Sequence, residues 1–222
     1  MGIQMMSIMR PAAALLLVAA LTAACGRVPG VYVYEKTGQG AAARSGAAEP
    51  ASYVADSWAA KIVPTVHDKA VDVTTVAAAI EKDPAAAGRQ YGHQAGTGSP
   101  YAFMVKGSGT VTDIDKSVPT GPMTVEMTRP DGEPLKLTIA TGPVIAGTAV
   151  RDAVGFIAFG DFTNQIDYAE VANQINNQVK TDVISKVGLD GIKGKKIDFF
   201  GAFSALTPGT IFLVPTELTV TS

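Results

Sequence analysis

The sequence is poor in the side chains that carry most enzyme chemistry: it holds one cysteine, Cys25, and two histidines, His67 and His93. A single thiol forms no disulfide within its own chain, and two imidazoles with one thiol leave no Cys/His set for zinc. A Ser-His-acid triad would have to use His67 or His93. His67 follows Pro64 in a connection between helical runs, and His93 lies in the Gly-rich stretch "YGHQAGTGSP". A solvated or locally hydrogen-bonded imidazole is the simpler reading at both places. We therefore assign no catalytic residue, no metal ligand and no cofactor. Charge is scarce too: 18 basic against 20 acidic side chains give a formal net charge of −2, which is no electrostatic footprint for nucleic acid. After residue 24 no apolar run approaches the roughly 20 residues that a membrane-spanning helix needs.

The first 24 residues are different. Arg10 is their only charge, Ala12 to Leu21 are all apolar, and Thr22, Ala23 and Ala24 are small. At about ten residues the apolar core is half a spanning helix, so the stretch reads as an export signal. Small residues directly before Cys25 resemble the lipobox of bacterial lipoproteins, in which the cysteine receives a diacylglyceryl group and becomes the N-terminus. Thr22 stands where that motif usually has leucine, and Leu21 lies one place early. The resemblance implies lipidation at Cys25 and anchoring in a membrane by acyl chains alone. The alternative is an ordinary secretory signal cleaved near Ala24.

Residues 25–50 contain a short β-like run, Val31 to Tyr34, with Tyr32 and Tyr34 suited to an edge strand. The run passes into a Gly/Ala-rich tether. Residues 51–100 read as a helical segment: Tyr53, Val54, Trp58, Ile62 and Val63 recur at helical spacing until Pro64 stops the run. Asp72 is placed to cap a second helix and Asp83-Pro84 to open a third. At Tyr101 the period changes to two. Three strands are expected, "YAFMVKGSGTVTDID", "MTVEMT" and "LKLTIA", the first long and bent at Gly107 and Gly109. Residues 149–187 return to helix, above all 167–187, where Asp167 and Glu170 fit a capping box. Strands at 195–203 and 210–220 follow. The order β-β-β-α-β-β over residues 101–222 is that of the OB-fold, so the expected architecture is α+β: an OB-like five-stranded antiparallel barrel with an N-terminal helical segment. The rival is an antiparallel sheet with the long helix packed across one face.

Few residues suggest chemistry. Asp113 and Asp115, two apart on a strand, are expected on one face and could act as a carboxylate pair. A solvated strand end beside Lys116 is the plainer account. The Gly-rich stretch before Tyr101 leads from helix to strand, the reverse of a phosphate loop. The most unusual run is 142–178, with the pair Arg151-Asp152, aromatics around Gly160, and then Asp161, Thr163, Asn164 and Gln165. Arg151, Asp161, Asn164 and Gln165 suit a polar small molecule such as a sugar, or a partner protein. They suit the capping of helix starts equally well.

The stretches "KGSGTV" (106–111), "GPVIAGTAVRDA" (142–153) and "FGDFTNQIDYAEVANQIN" (159–176), with segments 58–72 and 83–93, resemble a group of bacterial predicted periplasmic lipoproteins of unknown function. Where that family often has an arginine after "GPVI", this chain has Ala146. The family is often encoded beside sugar-type ABC importers. The resemblance thus implies an accessory role near a periplasmic solute-binding protein or an ABC permease, and no activity. An envelope enzyme acting on saccharides through Asp113 with Asp115 or Asp161, or a purely structural lipoprotein, are the alternatives.

Overall fold

The computed structural model describes residues 47–207 and 209–221; the expected export signal, Cys25, Tyr32 and Tyr34 lie outside the described residues. Helix α1, Pro50–Ser57, starts where Glu49 accepts from the amides of Ala51 and Ser52 at 3.2 and 2.9 Å. The helix does not stop at Pro64. It widens into one π turn at Trp58–Ile62, with Val63 N–H bonded to the Trp58 carbonyl, and continues as α2, Val63–Lys69. Pro64 brings a ring where the helix has a carbonyl and removes one N–H; a wider turn relieves the clash without ending the rod.

The two expected caps form. Asp72 accepts from Thr74 N at 2.8 Å to open α3, Val73–Lys82, and Asp83 accepts from Ala85 N and Ala86 N, both at 3.0 Å, to open α4, Pro84–Tyr91. Amide donors hold two such carboxyls below their usual range: the Ser52 amide foremost at Glu49, and the Ala86 amide foremost at Asp83. A carboxylate with a lowered folded-state pKa stabilises above its unfolded value, and that contribution disappears as pH falls through the folded one. Stability to urea should therefore be level near neutrality and decline below about pH 4. A flat profile down to pH 2 would show these caps to be inert.

Two short strands were not evident from the sequence. They are β1, Val71–Asp72, and β2, Gly92–Gln94, both paired to the first half of β3, Tyr101–Ile114. Strands β4, Pro122–Thr128, and β5, Pro134–Ala140, follow as hairpin partners. Then come α5, Ala149–Val154, α6, Gln165–Asp182, and the strands β6, Lys196–Ser204, and β7, Phe212–Thr221. The helical region after β5 is interrupted at Gly155, whose φ of 76° is left-handed.

Strands β3-β4-β5-β7-β6 pair in that order, and β6 returns to β3, closing a ring. Long β3 serves two neighbours, β6 from Ala102 to Thr110 and β4 from Thr110 onward. It can turn between them because Gly109 has no side chain; a Cβ there would sit 2.6 Å from Val125. The ring is not wholly antiparallel as expected: β5 and β7 run parallel, with Thr138 opposite Phe212 and Ile139 opposite Leu213. Two helices and β6 intervene between β5 and β7, and a crossover of that length permits parallel pairing.

Strand alternation sends Phe103, Val105, Val125, Leu137, Ile139, Phe199, Phe203 and Leu213 into one apolar cluster, which Val73, Val76 and Ala77 of α3 join. A second cluster lies on the other face of β3, β6 and β7, where Ala102, Ala202 and Val214 pack under Trp58, Ile62, Val66, Val150, Val171 and Ile175. The helical segment thus contributes to both cores. Among the described residues no helix is long and apolar enough to cross a membrane.

Candidate functional site

The run after β5 is tied down before it becomes helix. Thr141 Oγ1 donates to the Gly121 carbonyl at 2.6 Å, Gly142 N to Thr120 O at 2.9 Å, and Val144 N to Pro119 O at 3.0 Å. Gly142 is required there, since a Cβ would lie 2.3 Å from the Pro119 carbonyl oxygen. Buried Asn176 of α6 donates to Gly147 O at 3.0 Å and fixes the turn into α5. These bonds set α5 against α6.

Between the two helices lies a dense polar cluster. Arg151 donates through Nε and Nη2 to Asp152 Oδ1, both at 2.8 Å, and through Nη1 to the Tyr168 carbonyl at 3.1 Å. Its guanidinium stands 3.9 Å from the centroid of the Tyr168 ring. Thr148 Oγ1 donates to Asp152 Oδ2 at 2.5 Å. His93 joins from β2: its Nδ1 lies 2.6 Å from the Asp152 carbonyl, which can only accept, so that nitrogen carries the proton. Burial pushes the Tyr168 phenol up, the Arg151 charge opposes that shift, and Asp152 adds to it.

The expected site residues divide. Arg151 is buried and engaged as described. Asp161 accepts from Ala158 N at 3.0 Å in the turn before α6. Asn164 is the N-cap of α6: its Oδ1 accepts from Ile166 N at 2.8 Å and Asp167 N at 2.9 Å, while Nδ2 donates to Asp167 at 3.2 Å. The capping box expected from Asp167 and Glu170 is therefore displaced, because Asn164 caps three residues before Asp167. Gln165 begins α6 and is exposed. Replacing Asn164 by alanine should cost about 1 kcal/mol of unfolding free energy. Chemical denaturation of N164A tests this; no change would mean the cap is replaced by water at no cost.

The carboxylate pair separates into different duties. A register shift interrupts β3 between Val111 and Asp113, and the strand ends at Ile114. Asp113 pairs with Lys193 at 3.3 Å, whereas Asp115 accepts from the amide and hydroxyl of Ser117 at 2.8 and 2.6 Å. Among the described residues no group of three His, Cys, Asp or Glu side chains converges as metal ligands would.

Open space lies at both ends of α5. A cleft of about 170 Å³ at its N-terminal end is lined by Thr148, Asp152, Ser204, Leu206 and Phe212 among others. One of about 310 Å³ at its C-terminal end is lined by Lys69, Tyr91, His93 and Phe156 among others. Sequence reasoning singled out the Arg151-Asp152 pair but not Thr148, Ser204 or Phe212, whose convergence depends on the ring closing.

The family model described as "Predicted periplasmic lipoprotein (DUF2291)" matches residues 15–219. The chain belongs to that family. As a predicted periplasmic lipoprotein it is assigned to the cell envelope, and the matched region includes Cys25. The lipoprotein is also similar to a crystal structure of an OB-fold protein from Thermotoga maritima. The TM-score is 0.64 at 20% identity, over 78% of this chain and 99% of that one. At that identity the likeness concerns the fold alone. No curated protein matches this family member.

Proposed function

We propose that this lipoprotein is a non-catalytic accessory module, an OB-like barrel tethered through a lipid on Cys25, that assists sugar uptake by binding a small sugar or a partner of the uptake system. The cleft at the N-terminal end of α5 carries this reading. Its lining brings Thr148, Asp152 and Ser204 together with the apolar Phe212 and Leu206. Hydrogen-bonding groups next to an apolar wall suit a sugar ring, and the small volume favours one ring over a chain. A periplasmic solute-binding protein or an ABC permease is the protein partner in this reading, with exposed Leu206 at the cleft rim as its contact.

The outer positions of β4 and β5 support a role without nucleic acid. They are Pro122, Thr124, Glu126 and Thr128 with Pro134, Lys136 and Thr138, with Glu126 paired to Lys136 at 2.6 Å, and offer no aromatic ring on which a base could stack. The saccharide-acting enzyme has less support, since Asp113, Asp115 and Asp161 are each engaged elsewhere.

Thermal unfolding of the lipoprotein with a panel of neutral monosaccharides tests the reading. A ligand at a hundred times Kd stabilises by about 2.7 kcal/mol, which raises Tm by several degrees. The shift should vanish in S204W, which fills the cleft. No shift with any sugar, together with no complex with solute-binding proteins or permease, would overturn it. Separately, C25S should leave the membrane fraction and appear in the soluble periplasm.

A further inference from the structure

Two large apolar side chains stand in solvent beside the place where the chain arriving from Cys25 joins the folded body. Ala48 N donates to the Asp161 carbonyl at 3.1 Å, which fixes that junction at the turn before α6. In the same eight-residue span Phe159 is 51% exposed and Ile166 is 79% exposed. Phe159 is not loose: its ring meets the edge of Tyr168 at 5.8 Å, and Tyr168 in turn lies under Arg151. Ile166 occupies the first turn of α6, held by the Asn164 cap. Both are presented outward, Phe159 from the turn before α6 and Ile166 from its first turn.

We propose that this face, Phe159 with Ile166, is a membrane-contact surface that dips into the interface of the bilayer holding the lipid anchor. This rests on the lipidation of Cys25. About 22 residues separate Cys25 from Ala47, a contour of at most about 75 Å, and the tether limits the distance of the Ala48 junction, before any other part of the body, from the bilayer. The surface around that junction therefore meets lipid at the highest effective concentration, and a contact too weak for free association becomes populated. Phe and Ile without a polar end suit the acyl boundary.

The neighbouring charges decide which lipid. Among the described residues Glu49, Asp161, Asp167 and Glu170 belong to the junction and the start of α6, and no Lys or Arg lies between residues 152 and 179; Arg44 precedes the junction on the arriving chain. The face thus fits a zwitterionic surface, and an anionic one repels it.

Cys25 is consumed by the lipid, so a single introduced cysteine gives a site-specific probe. Lipoprotein carrying I166C, labelled with an environment-sensitive fluorophore, is reconstituted into phosphatidylethanolamine/phosphatidylcholine vesicles. The expected result is a blue shift and quenching by a nitroxide at headgroup depth, with neither seen for a label at L206C. Adding phosphatidylglycerol at low salt should reduce the signal, and F159S should abolish it while leaving the protein vesicle-bound. Equal, weak quenching at positions 166 and 206 in vesicle-bound protein would overturn the membrane-contact surface. Failure of wild-type protein to float with vesicles would instead remove the lipidation on which it rests.

Discussion

Replacing Arg151 with alanine is expected to lower the melting temperature by about 10 °C. The Arg151 side chain is 9% exposed and that of its partner Asp152 is 13% exposed. Alanine removes the guanidinium from Asp152, from the Tyr168 carbonyl and from the Tyr168 ring together. Asp152 is left almost without solvent, holding Thr148 as its side-chain donor. Breaking a buried pair on one side typically costs 3–5 kcal/mol, and in a body of this size each kcal/mol moves Tm by roughly 2–4 °C. The double replacement R151M/D152L, which removes both charges, should recover much of the loss, because the cost lies in the stranded carboxylate. Calorimetry on the wild type and the two variants compares the losses. If R151A melts like the wild type and instead loses a ligand, Arg151 is a contact residue and the packing account fails.

Phe103→Ala is the second large effect. Phe103 is 1% exposed, faces the interior of the ring, and stacks on Phe203 with centroids 5.2 Å apart and planes 18° apart. Truncation removes the transfer free energy of a benzyl group and leaves a void between β3 and β6, two strands paired along nine positions that cannot close in. Such changes cost about 3–5 kcal/mol. Urea denaturation of F103A should show that loss with a little-changed m-value, and F159A, half exposed on the opposite kind of surface, should show almost none. Equal effects at the two positions would mean that the ring interior is not the principal core.

The strands were legible because their alternation is local. "MTVEMT" and "LKLTIA" announce β4 and β5 within a residue at each end, and Asp72 and Asp83 announce two helix starts through side chains that reach only two or three residues ahead. Pro64 misled because whether proline ends a helix depends on the room its neighbours leave, and Trp58, Ile62 and Val66 packed on the ring hold the rod together across it. The parallel contact of β5 with β7 had no signal at all, since pairing partners some 70 residues apart carry no shared period. By sequence His93 reads as a solvated or locally hydrogen-bonded imidazole. Its partner is the carbonyl of Asp152, 59 residues away, and that bond exists only once β2 is laid on β3 and α5 is set in place.

What the sequence alone determined is what short-range chemistry determines. It specified the scarcity of catalytic groups, the main strands and helices apart from β1 and β2, and a family whose members are predicted periplasmic lipoproteins, with residues 1–24 reading as an export signal. Only the tertiary structure decided what the polar run of 151–165 does within the fold. An arginine, an aspartate or an asparagine offers the same donors and acceptors to a ligand as to a backbone. Arg151 turned inward to Asp152 and Tyr168, and Asn164 to the first amides of α6, because burial makes an unpaired polar group costly and those partners were the nearest. The two clefts beside α5, and the outward placement of Phe159 and Ile166, likewise depend on how the ring closes.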